Sequence, residues 1–146
     1  MTGVQTCALP IFLLLVAMAV LLFHVPVTGS FGAMSLGALL YVMSATAFGL
    51  LISSFVSSQV AALFGTSLLT ILPAVQFSGL IDPVSSLEGA GRLIGEIFPT
   101  THFVTISRGT FSKALEFQDL WASFIPLVIS VPVLIGLTAM LLRKQA

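Results

Sequence analysis

The chain has 146 residues, of which 58% are hydrophobic and only 7% charged, with no net charge; its mean hydropathy is +1.17. A soluble domain carries about 25% charged residues to cover its surface, so this composition excludes one and specifies an integral membrane protein. Zero net charge gives no sign of a polyanionic partner, so no direct nucleic-acid contact is expected, and one Cys and two His are too few and too scattered for a metal cluster.

At about 20 residues per span, the chain has room for four transmembrane helices and one ordered loop. No Asp, Glu, Lys or Arg precedes Asp82. Asp82, Glu88, Arg92, Glu96, Arg108, Lys113, Glu116 and Asp119 follow within one segment, and only Arg143 and Lys144 lie beyond it. The layout predicts an all-α membrane protein with a single water-facing segment, residues 82–119, hung between spans at about 12–25, 31–56, 60–81 and 120–142.

Residues 1–11 resemble the translation of a sequencing adapter fused in frame to an interrupted gene. A signal peptide is the alternative, but no Lys or Arg precedes the apolar stretch, and a signal peptide needs a basic start. On the first reading the protein proper is 12–146, cut at its front, and Cys7 is foreign to it. Phe12–Val25 then reads as the surviving end of a transmembrane helix, broken by Pro26 and Gly29, with His24 at the interface.

In the second span Ala45, Gly49, Ser53 and Ser57 recur at every fourth position, which stacks small side chains on one face. Apolar burial does not drive helix pairing in lipid, so such a stripe supplies contact through close backbone approach. Helix packing is therefore expected at Gly49, with pathway lining as the sharper alternative. Ser57-Ser58-Gln59 makes a minimal polar turn. In the third span Pro73 deprives a carbonyl of its helical partner and predicts a kink. Gln76, the most polar side chain in any span, is expected to bond to a neighbouring helix.

Beyond the Ile81-Asp82-Pro83 break, Ser85-x-x-Glu88 has capping-box spacing and predicts a helix starting near Ser86. Its apolar face is Leu87, Ala90, Leu93, Ile94 and Ile97, with Glu88, Arg92 and Glu96 opposite at attractive fourth positions. Too short and too charged to span, it should lie along the interface or dip back toward the bilayer. Pro99 stops it, and Thr100 or Thr101 can cap a second short helix. There Phe103, Ile106, Thr110 and Phe111 form an apolar face, with Arg108 and Lys113 toward water. The last span opens at Asp119 as N-cap, places Trp121 at belt depth, bends at Pro132 and closes on Arg143 and Lys144.

Several chemistries are missing. Neither Lys113 nor Lys144 follows the glycine of a phosphate loop, so ATP is not bound here in that way. No span carries an ionisable residue except His24 near an end, whereas ion-coupled transporters place one inside the membrane. Ser67 and Ser78 have only His102 as a possible base, and a satisfied loop histidine is the expected reading of His102.

The stretches Gln76-Phe77-Ser78-Gly79-Leu80-Ile81-Asp82-Pro83, Pro99-Thr100-Thr101-His102-Phe103 and Arg108-Gly109 resemble the end of an ABC-2 type transporter permease. From Phe77 to Lys113 the wording is similar to the membrane part of the bacterial ribosome-associated ATPase. The resemblance implies the last four of six permease helices, with two short re-entrant helices before the final one. It also implies dimeric action in the bacterial inner membrane, the C-terminus cytoplasmic and 82–119 outside. ATP and Mg would be held by separate or upstream ATP-binding domains, with no cofactor and no enzymatic activity in this chain. An exporter permease is the preferred function; the alternative is a membrane anchor for a ribosome-associated ATPase. Pro73, Gln76, Gly79, Pro83, Pro99 and Gly49 are the candidate gate and packing residues.

Overall fold

The computed structural model describes residues 2–24, 26, 29–79, 81, 86, 88–113 and 117–145. They form six helices: α1 Thr2–Phe23, α2 Phe31–Ser53, α3 Gln59–Phe77, α4 Ala90–Ile97, α5 Pro99–Ser112 and α6 Phe117–Gln145. Four of them, α1, α2, α3 and α6, are long and apolar enough to cross a membrane. At about 1.5 Å per residue, the 23 residues of α2 reach roughly 35 Å, enough for a hydrocarbon core of about 30 Å.

Local chemistry sets most boundaries. α1 runs back through Pro10 to Thr2 and ends at Phe23, because His24 adopts a left-handed φ of 50°. The Ser30 hydroxyl accepts from the Ala33 amide at 3.4 Å and caps α2. α2 stops at Ser53, short of the expected 56, and α3 continues through Pro73 but ends at Phe77 rather than Ile81. The reason for the second stop is Gly79, whose φ of +80° ends helical geometry.

Three capping expectations are corrected. α4 starts at Ala90, not near Ser86, since Gly89 at φ +60° cannot continue a helix from the residues before it; Ser85 lies outside the described residues. Phe98, in extended backbone, is the N-cap of α5, which puts Pro99 at its first position and Thr100 and Thr101 inside. α6 begins at Phe117, so Asp119 sits in its first turn, where its charge favours the helix dipole without being the cap.

α2 is the hub, packed against α1, α3, α5 and α6. The buried core joins Ala33 of α2, Ile106 of α5 and Leu120, Phe124 and Leu127 of α6, with Leu40 and Tyr41 against it. Ser44 meets Ser130 and Thr138 approaches Ala47 further along, so α2 and α6 run in the same direction. The Gly29 amide donates to the Thr110 carbonyl at 2.9 Å. The end of α1, the end of α3, the α4–α5 pair and the start of α6 therefore share one side. Arg143 and Lys144 close α6 on the other.

Candidate functional site

The site is the α4–α5 hairpin, wedged between α2 and α6 and tied to the end of α3. Its joint is deep. Tyr41, about 15 Å down α2 from Phe31 at 1.5 Å per residue, shares a hydrogen bond with Thr100 at 3.2 Å and stacks on Phe103 with centroids 4.8 Å apart. Phe48, two turns further, meets Phe98 edge-on at 6.1 Å. From there α5 climbs, Ile106 passing Gly37 and Thr110 reaching Gly29 at the surface. The pair thus enters between α2 and α6 and turns back toward the side it came from, the arrangement of a re-entrant hairpin.

Polar contacts tie the hairpin to the end of α3. The Arg108 guanidinium donates to the Gly79 carbonyl at 2.8 Å, and the Thr101 hydroxyl to the Phe77 carbonyl at 3.4 Å. The Phe77 carbonyl is the last of α3 and the Gly79 carbonyl lies just past its cap, so helical bonding leaves both without partners. Arg108 is exposed, in line with a water-facing residue, yet its tip is committed to this contact. At the joint, His102 lies on a helix rather than a loop, and its Nε2–H donates to the Glu96 carbonyl at 2.8 Å. Burial pushes the imidazole pKa below its usual value, more strongly than the carbonyl contact raises it. The Ser78 hydroxyl is likewise engaged, donating to the Ala74 carbonyl.

Beside the joint lies an apolar cavity of about 580 Å³ between α4 and α6, lined by Leu93, Ile97, Phe98 and Pro99 on one wall and Ile129 and Val133 on the other. Its few polar groups are already paired. Ser130 donates to the Leu127 carbonyl at 2.8 Å and accepts from Ser44, which lies outside the lining, and the Glu96 carboxylate is held by Arg92 at 2.8 Å. A cavity without free polar partners does not favour water.

Of the candidates read from sequence, the hairpin assembly takes in Gly79 and Pro99. Gly79 is buried, with its carbonyl capped by Arg108, and Pro99 opens α5 and lines the cavity. Gly49 packs elsewhere, at the α2–α3 contact, where an added Cβ would stand 3.7 Å from a Thr66 methyl. Its small-residue stripe splits there, for Ser53 and Ser57 are exposed. Pro73 is half-buried in α3 and does not line the cavity. Gln76 is exposed with no hydrogen bond among the described residues, because α3 presents no buried face to hold it. Pro83 lies outside the described residues. Sequence reading passed over Tyr41, Phe48, Ser44 and Ser130. The one available signal was Tyr41, the chain's only tyrosine and a hydroxyl in mid-span that needs a partner there.

Four apolar spans, a helix pair wedged in before the last one and no buried charge among the described residues define a polytopic, all-helical membrane protein. Residues 1–140 match the family model described as ABC-2 family transporter protein, and the chain belongs to that family. It is 28% identical over 116 residues to the probable multidrug ABC transporter permease YbhR of Escherichia coli K12, covering 80% of this chain and 31% of that protein. Over 106 residues it is 28% identical to the inner membrane transport permease YhhJ of the same organism, covering 71% of this chain and 28% of that protein. The chain thus spans less than a third of the curated relatives it matches. No solved structure matches it.

Proposed function

We propose that this chain is the permease part of an ATP-driven ABC-2 exporter of the bacterial inner membrane. ATP and Mg belong to separate or upstream nucleotide-binding domains, and two permease copies act together. The α4–α5 hairpin is the gate of the path, on the extracytoplasmic side; Arg143 and Lys144 are cytoplasmic, where basic residues at span ends are favoured. The observation that carries this reading is the re-entrant hairpin held by its edges. It is wedged between two parallel spans and latched to the end of a third through Gly79, an arrangement that can be released without unfolding any span. The apolar cavity beside the joint suits the apolar part of a cargo.

The test is Gly79→Leu in the intact transporter. A side chain at φ +80° is strained, so the latch geometry is lost while the spans remain. Export should fall severalfold with ATP binding by the nucleotide-binding domains unchanged. Normal export would remove the hairpin from the gating role. If transport is absent in the wild type while a ribosome-associated ATPase still depends on the chain for membrane attachment, the protein is an anchor.

A further inference from the structure

Both ends of α4 come up against Phe77, the last residue of the α3 span. A Cβ on Gly91 would stand 3.2 Å from the Phe77 ring, and the Thr101 hydroxyl, just past the joint, donates to the Phe77 carbonyl. α4 therefore lies across the end of that span, packed on α3 and α5, with the 580 Å³ cavity between it and α6. A volume of that size is in the range of small-molecule sites, about 300–1,000 Å³. The wall that α4 gives the cavity is of two kinds. Leu93, Ile94 and Ile97 are exposed apolar side chains that face Ile129 and Val133 of α6 across it. Glu96 lines the same cavity, its Oε1 held by Arg92 Nε at 2.8 Å. Arg92 remains 59% exposed and Glu96 53%, so the pair is open to a third group. It is made through one atom of each side chain, and the Arg92 Nη groups and Glu96 Oε2 have no further partner among the described residues. A guanidinium fork matches a phosphate, and a carboxylate oxygen accepts from an ammonium.

We propose that the cavity is a binding site for a membrane phospholipid with a zwitterionic, amine-bearing headgroup. One acyl chain lies between α4 and α6, the phosphate takes the Arg92 Nη groups, and the ammonium takes Glu96 Oε2. The charges select this ligand. An anionic headgroup without an amine meets the Glu96 carboxylate unfavourably, a simple cation meets Arg92, and a free phosphate has no use for the apolar wall. The site does not rest on the gating role of the hairpin. A lipid seated there fills the space beside the joint whether the protein exports or anchors, and a cargo with an apolar part displaces its acyl chain.

Photo-cross-linking of the intact protein, purified in detergent, tests it. The probe is phosphatidylethanolamine with a diazirine on one acyl chain, and labelled peptides are mapped by mass spectrometry. Label should concentrate on residues 93–97 of α4 and 125–134 of α6. Unlabelled phosphatidylethanolamine should compete severalfold better than phosphatidylglycerol with the same chains. Arg92→Gln with Glu96→Gln removes both charges together and should abolish that preference, while the acyl chain still labels the cavity. An exposed ion pair contributes little to stability, so this variant keeps its fold, which its thermal midpoint checks. Ile129→Trp fills the cavity and should lower labelling of α4 severalfold. Equal competition by the two lipids in the wild type overturns the headgroup site and leaves unselective acyl packing. Label as heavy on the exposed face of α3, at Leu63 and Leu68, as in the cavity overturns it in favour of ordinary bilayer lipid.

Discussion

The Arg108 guanidinium sits 2.8 Å from the carbonyl oxygen of Gly79, so a side chain of α5 completes the C-terminus of α3. The contact joins two elements that sequence separates by the whole loop. Arg108→Met keeps the aliphatic length and removes the donors. Since Arg108 is exposed, the loss should be modest, about 0.5–1.5 kcal/mol, the net worth of an ordinary hydrogen bond. Thermal unfolding of the purified permease reads the stability, and faster proteolysis between residues 78 and 113 locates it. An unchanged proteolysis pattern would mean the latch does not hold the hairpin.

Gly37 lets α5 approach α2. A Cβ there would stand 3.2 Å from Ile106 Cγ2 and 3.3 Å from its Cδ1, and Ile106 is fully buried. Gly37→Val should cost about 1–3 kcal/mol through overpacking. Ile106→Val on top of it should recover part of that loss, because the two changes meet at one contact. Additive losses in a double-mutant cycle would show that the helices are not in register as described.

Much of this architecture is legible in composition and periodicity, because a bilayer leaves backbone few choices. Four apolar runs had to be helices, and their cores are where the sequence places them. The Arg92–Glu96 pair follows from spacing alone and forms as expected. The helix ends were less legible. Gly79 and Gly89 adopt positive φ, which sequence cannot distinguish from helical glycine, and both moved a boundary. The depth of the hairpin was not legible either. Whether α4 lies flat or dips inward depends on which residues of α2 receive Thr100, Phe103 and Phe98, and these partners are distant in sequence. Gln76 misled for the opposite reason: a polar residue in a span suggests a partner only if its face is packed, and that face of α3 is open.

Ser44 and Ser130 bridge α2 and α6 at 3.0 Å, with Ser44 fully buried. Hydroxyl bridges between transmembrane helices average only about 0.6 kcal/mol, because the separated helices find other partners. Ser44→Ala and Ser130→Ala should therefore each be mild, and their coupling in a double-mutant cycle should be near that value. Coupling indistinguishable from zero would mean that each hydroxyl is satisfied within its own helix, as the Ser130 bond to the Leu127 carbonyl permits.

The α4–α5 joint should weaken in acid. Burial lowers the His102 pKa below the ordinary 6.5, with the contact to the Glu96 carbonyl opposing it weakly. A group whose folded pKa is depressed binds more protons when unfolded, so stability rises with pH across the interval between the two values. The contribution is present above about pH 6.5 and is lost as the pH falls through the lower folded value. Protonation puts a charge on a ring that the fold partly buries, and the contact to the Glu96 carbonyl offsets only part of that cost. The thermal midpoint of the purified permease at pH 5.5 should lie below that at pH 7.5. In His102→Gln, which can still donate to the Glu96 carbonyl, the difference should shrink. An identical pH difference in wild type and variant would assign the acid sensitivity to the carboxylates and leave His102 a purely structural contact.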